Sequence, residues 1–156
     1  MVQNPAISGS AAGPDADGSC AAESRAAAQR LRLLAWATLM ALVAQFLLGT
    51  ATSLYVTVPH RHPWTASHPA VVLWAHIVVG VALIGNAFMV LGRARAGGNP
   101  AVLGWALAGL LSIVGAAAAG VGFVGAGGSN GASMGMAVGF AVAVVSYAVV
   151  LWQTPR

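Results

Sequence analysis

The chain has no lysine, and its three acids, Asp15, Asp17 and Glu23, all precede the first long apolar stretch. From Ser24 to the last residue, Arg156, there is no carboxylate at all. That absence argues against paired-carboxylate acid/base catalysis and against carboxylate-built calcium or magnesium sites. It argues equally against the intramembrane acids through which proton-coupled exporters exchange protons for substrate. Cysteine is nearly missing too: Cys20 stands alone, so no intramolecular disulfide can form. No apolar run precedes it, as an acylated lipoprotein cysteine would need. Charged residues make up only 6% of the chain, against about 25% in a soluble domain. A water-soluble fold of this size could not cover its surface with so few.

Hydrocarbon takes their place. The chain is 58% hydrophobic, and four apolar blocks recur at about 33–55, 69–91, 101–126 and 132–152. Each reaches the ~20 residues a helix needs to cross a ~30 Å hydrocarbon core. The blocks are continuously apolar, whereas a barrel strand alternates lipid-facing and lumen-facing residues. The expected fold is therefore an all-α integral membrane four-helix bundle. Its helices are expected at about 31–56, 69–92, 101–126 and 132–153, in a transmembrane domain spanning 29–156. Residues 1–28 are Ala, Gly, Ser, Pro and Asp with almost nothing large to bury, and are expected to form a disordered cytoplasmic leader. The run AAAQRLRLL at 26–34 is rich in helix formers and extends the first helix inward. That helix is too long and too far from the start to be a cleaved signal peptide, and reads as a retained anchor.

The arginines set an expected orientation. Arg25, Arg30 and Arg32 precede the first helix, Arg93 and Arg95 follow the second, and Arg156 ends the chain, leaving only Arg61 on the other side. By the positive-inside rule both termini are expected in the cytoplasm, and the membrane expected is a bacterial-type plasma (inner) membrane. The net charge of +4 thus reflects topology, and no nucleic-acid partner is expected.

Within the spans, polar residues are few. The TATS run at 50–53 satisfies its own hydroxyls on carbonyls one turn back. Gln45 cannot do so cheaply, because an unpaired amide in hydrocarbon costs several kcal/mol. It is expected to face another helix, with His76 at similar depth as its nearest deep polar candidate. Asn86 is the second intramembrane amide. Glycines at 104, 109, 115, 120 and 122, and again at 131, 135 and 139, predict close approach of the third and fourth helices.

All four histidines fall between 57 and 76, in TVPHRHPWTASHPAVVLWAH. His60 and His62 form an H-x-H pair in the outer loop, with His68 as a third candidate ligand for copper or zinc. The competing reading makes them interfacial polar residues beside Trp64. His76 is different, since it lies about seven residues inside its helix, or ~10 Å deep. An ionisable residue there is either a neutral imidazole fixing helix one against helix two or an axial haem ligand.

QFLLG in the first helix, followed by an outer loop and LWAHIVVG in the second, resembles half of the haem A synthase bundle, and more loosely cytochrome b561-type four-helix proteins. The resemblance covers roughly the first hairpin. It implies haem held by histidines on separate helices, with His76 matching the second-helix ligand. Helix four has no histidine, and the outer loop lacks the synthase's glutamate and cysteine pair. Met134 or Met136 would supply a thioether partner for haem b, and a homodimer presenting His76 twice would supply a second imidazole. Methionine between glycines is also an ordinary packing residue. Finally, GASMG at 131–135 satisfies G-x-S-x-G around Ser133, but it opens a membrane helix with no preceding strand and no acid, so helix packing explains its glycines better.

The function expected from these residues is that of a non-catalytic structural or accessory membrane subunit, lodged in the lipid bilayer and contacting a membrane-protein partner or a second copy. The alternative is a b-type haem or quinone-linked electron-transfer protein using His76, with Gln45, Met134 and Met136 around the cofactor.

Overall fold

In the computed structural model, residues 14–55, 70–125 and 129–155 are described, and they form four helices: α1 (Pro14–Tyr55), α2 (Ala70–Ala96), α3 (Pro100–Gly125) and α4 (Asn130–Gln153). Each is long and apolar enough to cross a membrane, the pattern of a multi-pass membrane protein. Close backbone contacts run α1 to α2, α2 to α3, α3 to α4 and α4 back to α1, with none between the diagonal pairs among the described residues. The result is an up-down-up-down bundle. Its two hairpins keep a constant register: Gln45 meets His76 and Leu34 meets Asn86 across α1–α2, and Gly109 meets Tyr147 and Gly135 meets Ala119 across α3–α4.

The exterior is as oily as the interior. Trp152 is 90% exposed, Val71 75% and Leu33 69%, with Phe46, Phe88, Leu111 and Val145 also outside. A surface of this kind is stable only against lipid or partner protein. Burial falls on one stripe of each helix at three- and four-residue spacing: Leu31, Ala35, Thr38 and Leu42 on α1, Leu83, Ala87, Val90 and Ala94 on α2. Facing them are Val102, Ala106, Leu110 and Ile113 of α3, and Ala143, Tyr147 and Val150 of α4. All of these lie in the half of the bundle near the arginines. At the other end Leu73 is the buried large apolar residue among the described ones.

Helix α1 begins at Pro14, before the expected start near residue 31 and before the inward extension expected at 26–34. The physical reason lies in AAESRAAAQ: alanine has the best helix propensity, and a stretch continuous with a membrane-anchored helix need not nucleate its own first turn. Proline at the first position is compatible with that start. Every described side chain from 18 to 27 is exposed, so this extension packs on nothing in its own chain. Residues 1–13 lie outside the described residues. Helix α2 runs four residues past the expected 92, to Ala96, and α4 starts two residues before the expected 132.

The ends of the helices are tied by specific groups. Gly98 turns the chain with φ +69, a conformation that favours glycine. Asn99 Oδ1 then accepts from Ala101 N at 3.0 Å, capping α3. Ser129 caps α4 by accepting from Ala132 N. Arg32 Nη1 donates to the Thr154 carbonyl at 2.9 Å and the Leu151 carbonyl at 3.4 Å. A cation at the orphan carbonyls of a helix C-terminus is favourable, and here it joins α1 to the end of α4.

The second hairpin is close-packed through small residues, as the glycine spacing predicted. A Cβ placed on Gly139 would lie 2.9 Å from both Ala116 Cβ and the Ser112 carbonyl oxygen. A Cβ on Gly109 would lie 2.7 Å from Cε2 of Tyr147, which is fully buried. Gly109→Ala should therefore destabilise the protein by about 1–3 kcal/mol through overpacking. Gly85→Ala, with nothing within 4 Å of its would-be Cβ, should be neutral or slightly stabilising. Thermal unfolding of the two variants in detergent measures the contrast; equal shifts would contradict this packing.

Candidate functional site

The polar groups that enter the apolar region are brought together between α1 and α2. Gln45 Nε2 donates to the backbone carbonyl of His76 at 3.0 Å and lies 3.2 Å from the ring Nε2. A carbonyl only accepts, so the amide nitrogen rather than the amide oxygen must face it. The same nitrogen then has only a hydrogen to offer the imidazole. His76 Nε2 therefore accepts, and the ring is the neutral tautomer protonated at Nδ1. Nδ1 of His76 and Oε1 of Gln45 are buried with no hydrogen-bond partner among the described residues.

Two glycines make this contact possible. A Cβ on Gly49 would sit 3.1 Å from His76 Cε1, and one on Gly80 would sit 3.0 Å from Gln45 Nε2. Each glycine lies one helical turn beyond the polar residue of its own helix and opposite that of its neighbour. The pair is thus reciprocal: Gln45 rests on Gly80, His76 on Gly49.

Two turns nearer the arginine end, Asn86 Nδ2 donates to Thr38 Oγ1 at 2.7 Å and to the Leu34 carbonyl at 3.1 Å. Thr38 itself donates to the Leu34 carbonyl at 2.9 Å and is fully buried. Thr38 was not singled out from the sequence, because a lone threonine in a span ordinarily bonds its own helix. The available signal was its position, seven residues before Gln45 on the same stripe. Arg32 was read only as an interface residue, and its reach to α4 had no sequence signal.

Of the other candidate residues, Met136 has its sulfur against Gly120 of α3 and is partly buried, while Met134 is 66% exposed. Both are on α4, whose backbone makes no close approach to α2 among the described residues. No hydrogen bond links His76 to Ser133 among the described residues, and Met134 and Met136 belong to the helix diagonal to its own. His60, His62 and His68 lie outside the described residues, as does Trp64. Among the described residues no group of three or more His, Cys, Asp or Glu side chains comes together.

No protein-family model, curated protein or solved structure matches this chain. The resemblance of the first hairpin to haem A synthase therefore rests on its own residues. QFLLG and LWAHIVVG turn out to be the two sides of one contact, since Gln45 and Gly49 come from the first and His76 and Gly80 from the second. As the helices stand, the Nε2 lone pair that an iron would take is directed at the Gln45 amide, and the ring edge is in contact distance of the α1 backbone. Haem ligation at Nε2 would require the Gln45 amide to give up this contact.

Proposed function

We propose that this protein is a non-catalytic structural or accessory subunit of a membrane assembly, in the bacterial-type plasma membrane, with both termini cytoplasmic. The observation that carries this reading is how the glycines of α3 divide. Gly109 and Gly120 are taken up inside the hairpin, against Tyr147 and Met136. Gly104, Gly115 and Gly122, at spacings of eleven and seven, have nothing within 4 Å of their would-be Cβ atoms and are exposed. They share one lipid-facing side of α3. Small residues on a membrane helix gain contact energy only when another backbone approaches them, so this side fits a partner helix or a second copy of α3.

The helical extension of α1 supports the same reading, as it projects exposed side chains beyond the bundle without packing on it. So does the state of His76, which is engaged in holding α1 to α2. The reading of His76 as a haem b or quinone-linked electron-transfer residue remains the alternative, supported by its depth and by the unpartnered Nδ1. The two differ in two observables. The accessory reading expects the protein extracted from its membrane in mild detergent, after expression with ample haem, to migrate as a complex without a Soret band. Gly115→Leu is expected to release it as a monomer. A monomeric wild-type protein with a Soret band that is lost in His76→Ala would overturn the reading.

The orientation rests on the arginine distribution. Arg25, Arg30, Arg32, Arg93 and Arg95 all belong to one end of the α1–α2 hairpin. A reporter enzyme active only outside the cytoplasm, fused after Trp64, should be active; activity confined to a cytoplasm-dependent reporter at that position would reverse the topology.

A further inference from the structure

The α1–α2 register that sets Leu34 opposite Asn86 also sets Arg30 opposite Arg93, at the end of the apolar region. There the two helices enclose a shallow cleft of about 610 Å³ that is open on its outer side. It is lined by Arg30, Leu33 and Leu34 of α1 and by Met89, Gly92, Arg93 and Ala96 of α2. The shape is not that of a soluble-ligand pocket, because one long side is open where the bilayer would be. Leu33 is 69% and Met89 55% exposed, so the trough presents unshielded hydrocarbon along its length. Gly92 leaves a notch in the α2 wall, with nothing within 4 Å of its would-be Cβ.

The positive charge of this lining is uncompensated among the described residues. Neither Arg30 nor Arg93 has a hydrogen bond or ion pair among the described residues, in contrast to Arg32, whose guanidinium is engaged with the end of α4. No acid follows Glu23 in the chain, and Glu23 is about two turns from Arg30 on α1, or ~10 Å. Two unpaired guanidiniums above an apolar trough match one chemistry: a phosphodiester with a hydrocarbon chain attached. Arginine is suited to the phosphate, since its planar fork donates to two oxygens together.

We propose that this cleft is a binding site for an anionic glycerophospholipid, with the phosphate between Arg30 and Arg93 and an acyl chain lying against Leu33, Leu34 and Met89 in the trough over Gly92. The site is independent of whether the protein is an accessory subunit or an electron carrier, and of which side of the membrane the arginines occupy. It makes the lipid a bound component at the α1–α2 seam rather than bulk solvent. Because α1 and α2 each supply one arginine and one wall, an occupied site also bridges the two helices below the Asn86–Thr38 bonds.

The test uses the full-length protein in mixed micelles containing equal phosphatidylglycerol and phosphatidylcholine, with retained lipid counted by native mass spectrometry. Wild-type protein should retain phosphatidylglycerol in preference to phosphatidylcholine. Arg30→Gln or Arg93→Gln should each reduce that preference about fivefold, and the double variant about 30-fold, from the typical contribution of one basic residue at an anionic surface. Arg95→Gln, which removes the same charge outside the cleft, should leave it within about twofold of wild type. Met89→Trp fills the trough without changing charge and should also lower retention. Equal losses in Arg95→Gln and Arg93→Gln would show a general surface field and overturn the site. Full retention in the Arg30→Gln/Arg93→Gln double variant would overturn it as well. Displacement of phosphatidylglycerol by millimolar inorganic phosphate would show that the arginines take a free anion rather than a lipid.

Discussion

A side-chain amide or imidazole in hydrocarbon has no water to turn to, so it must find its partner inside the protein. In this chain that constraint fixes the first hairpin. Gln45 on α1 and His76 and Asn86 on α2 are polar groups that find partners across the α1–α2 seam, whereas the buried Tyr147 hydroxyl of α4 has none among the described residues. Gln45 takes the His76 carbonyl and ring, and Asn86 takes Thr38 and the Leu34 carbonyl. A shift of either helix by one turn would break both sets together. Register, depth and rotation of α1 against α2 follow from two pairs of bonds about two turns apart.

The second hairpin is held by a different force. Helices α3 and α4 share no hydrogen bond between side chains among the described residues; their attraction is close backbone approach at Gly139, Gly135 and Gly120, and at Gly109 beneath the Tyr147 ring. Lipid tails are as apolar as leucine, so contact density replaces the hydrophobic effect as the driving term. The hairpins are then joined by the Phe46–Phe140 ring stack, centroids 5.0 Å apart, and by Arg32 at the end of α4. Most large buried side chains sit between these ties and the arginine end. Among the described residues, that distribution leaves the opposite end of the bundle with few large buried side chains.

Much of this was legible in the residues, and the limits have physical causes. Continuous apolar blocks leave only helices as an option, so the four spans and their antiparallel order followed from length and short connections. The cost of an unpaired amide was enough to join Gln45 to His76 before any coordinates. What it did not give was the tautomer, which depends on the carbonyl at 3.0 Å, or the two glycines that admit the pair. The early start of α1 was missed because burial was the criterion, and a helix continuous with a membrane span needs none. The split of the α3 glycines into packed and open ones was also hidden: spacing shows that small residues share a face, not which face a neighbour covers. Arg30 and Arg93 looked alike as topology markers, and became a pair only once the register placed them across one cleft. Residues 56–69, which carry His60, His62 and His68, contribute nothing to the account beyond their sequence.

The central claim is that His76 and Gln45 act as one interhelical tie, and a double-mutant cycle tests it most directly. Gln45→Leu, His76→Leu and the double variant are compared with wild type by reversible unfolding in a bilayer mimic. The expected coupling is about 0.6 kcal/mol, the average for interhelical hydrogen bonds in membranes, and at most about 1.7 kcal/mol, with the double variant less destabilised than the sum of the singles. Additive single costs, with coupling indistinguishable from zero, would contradict it.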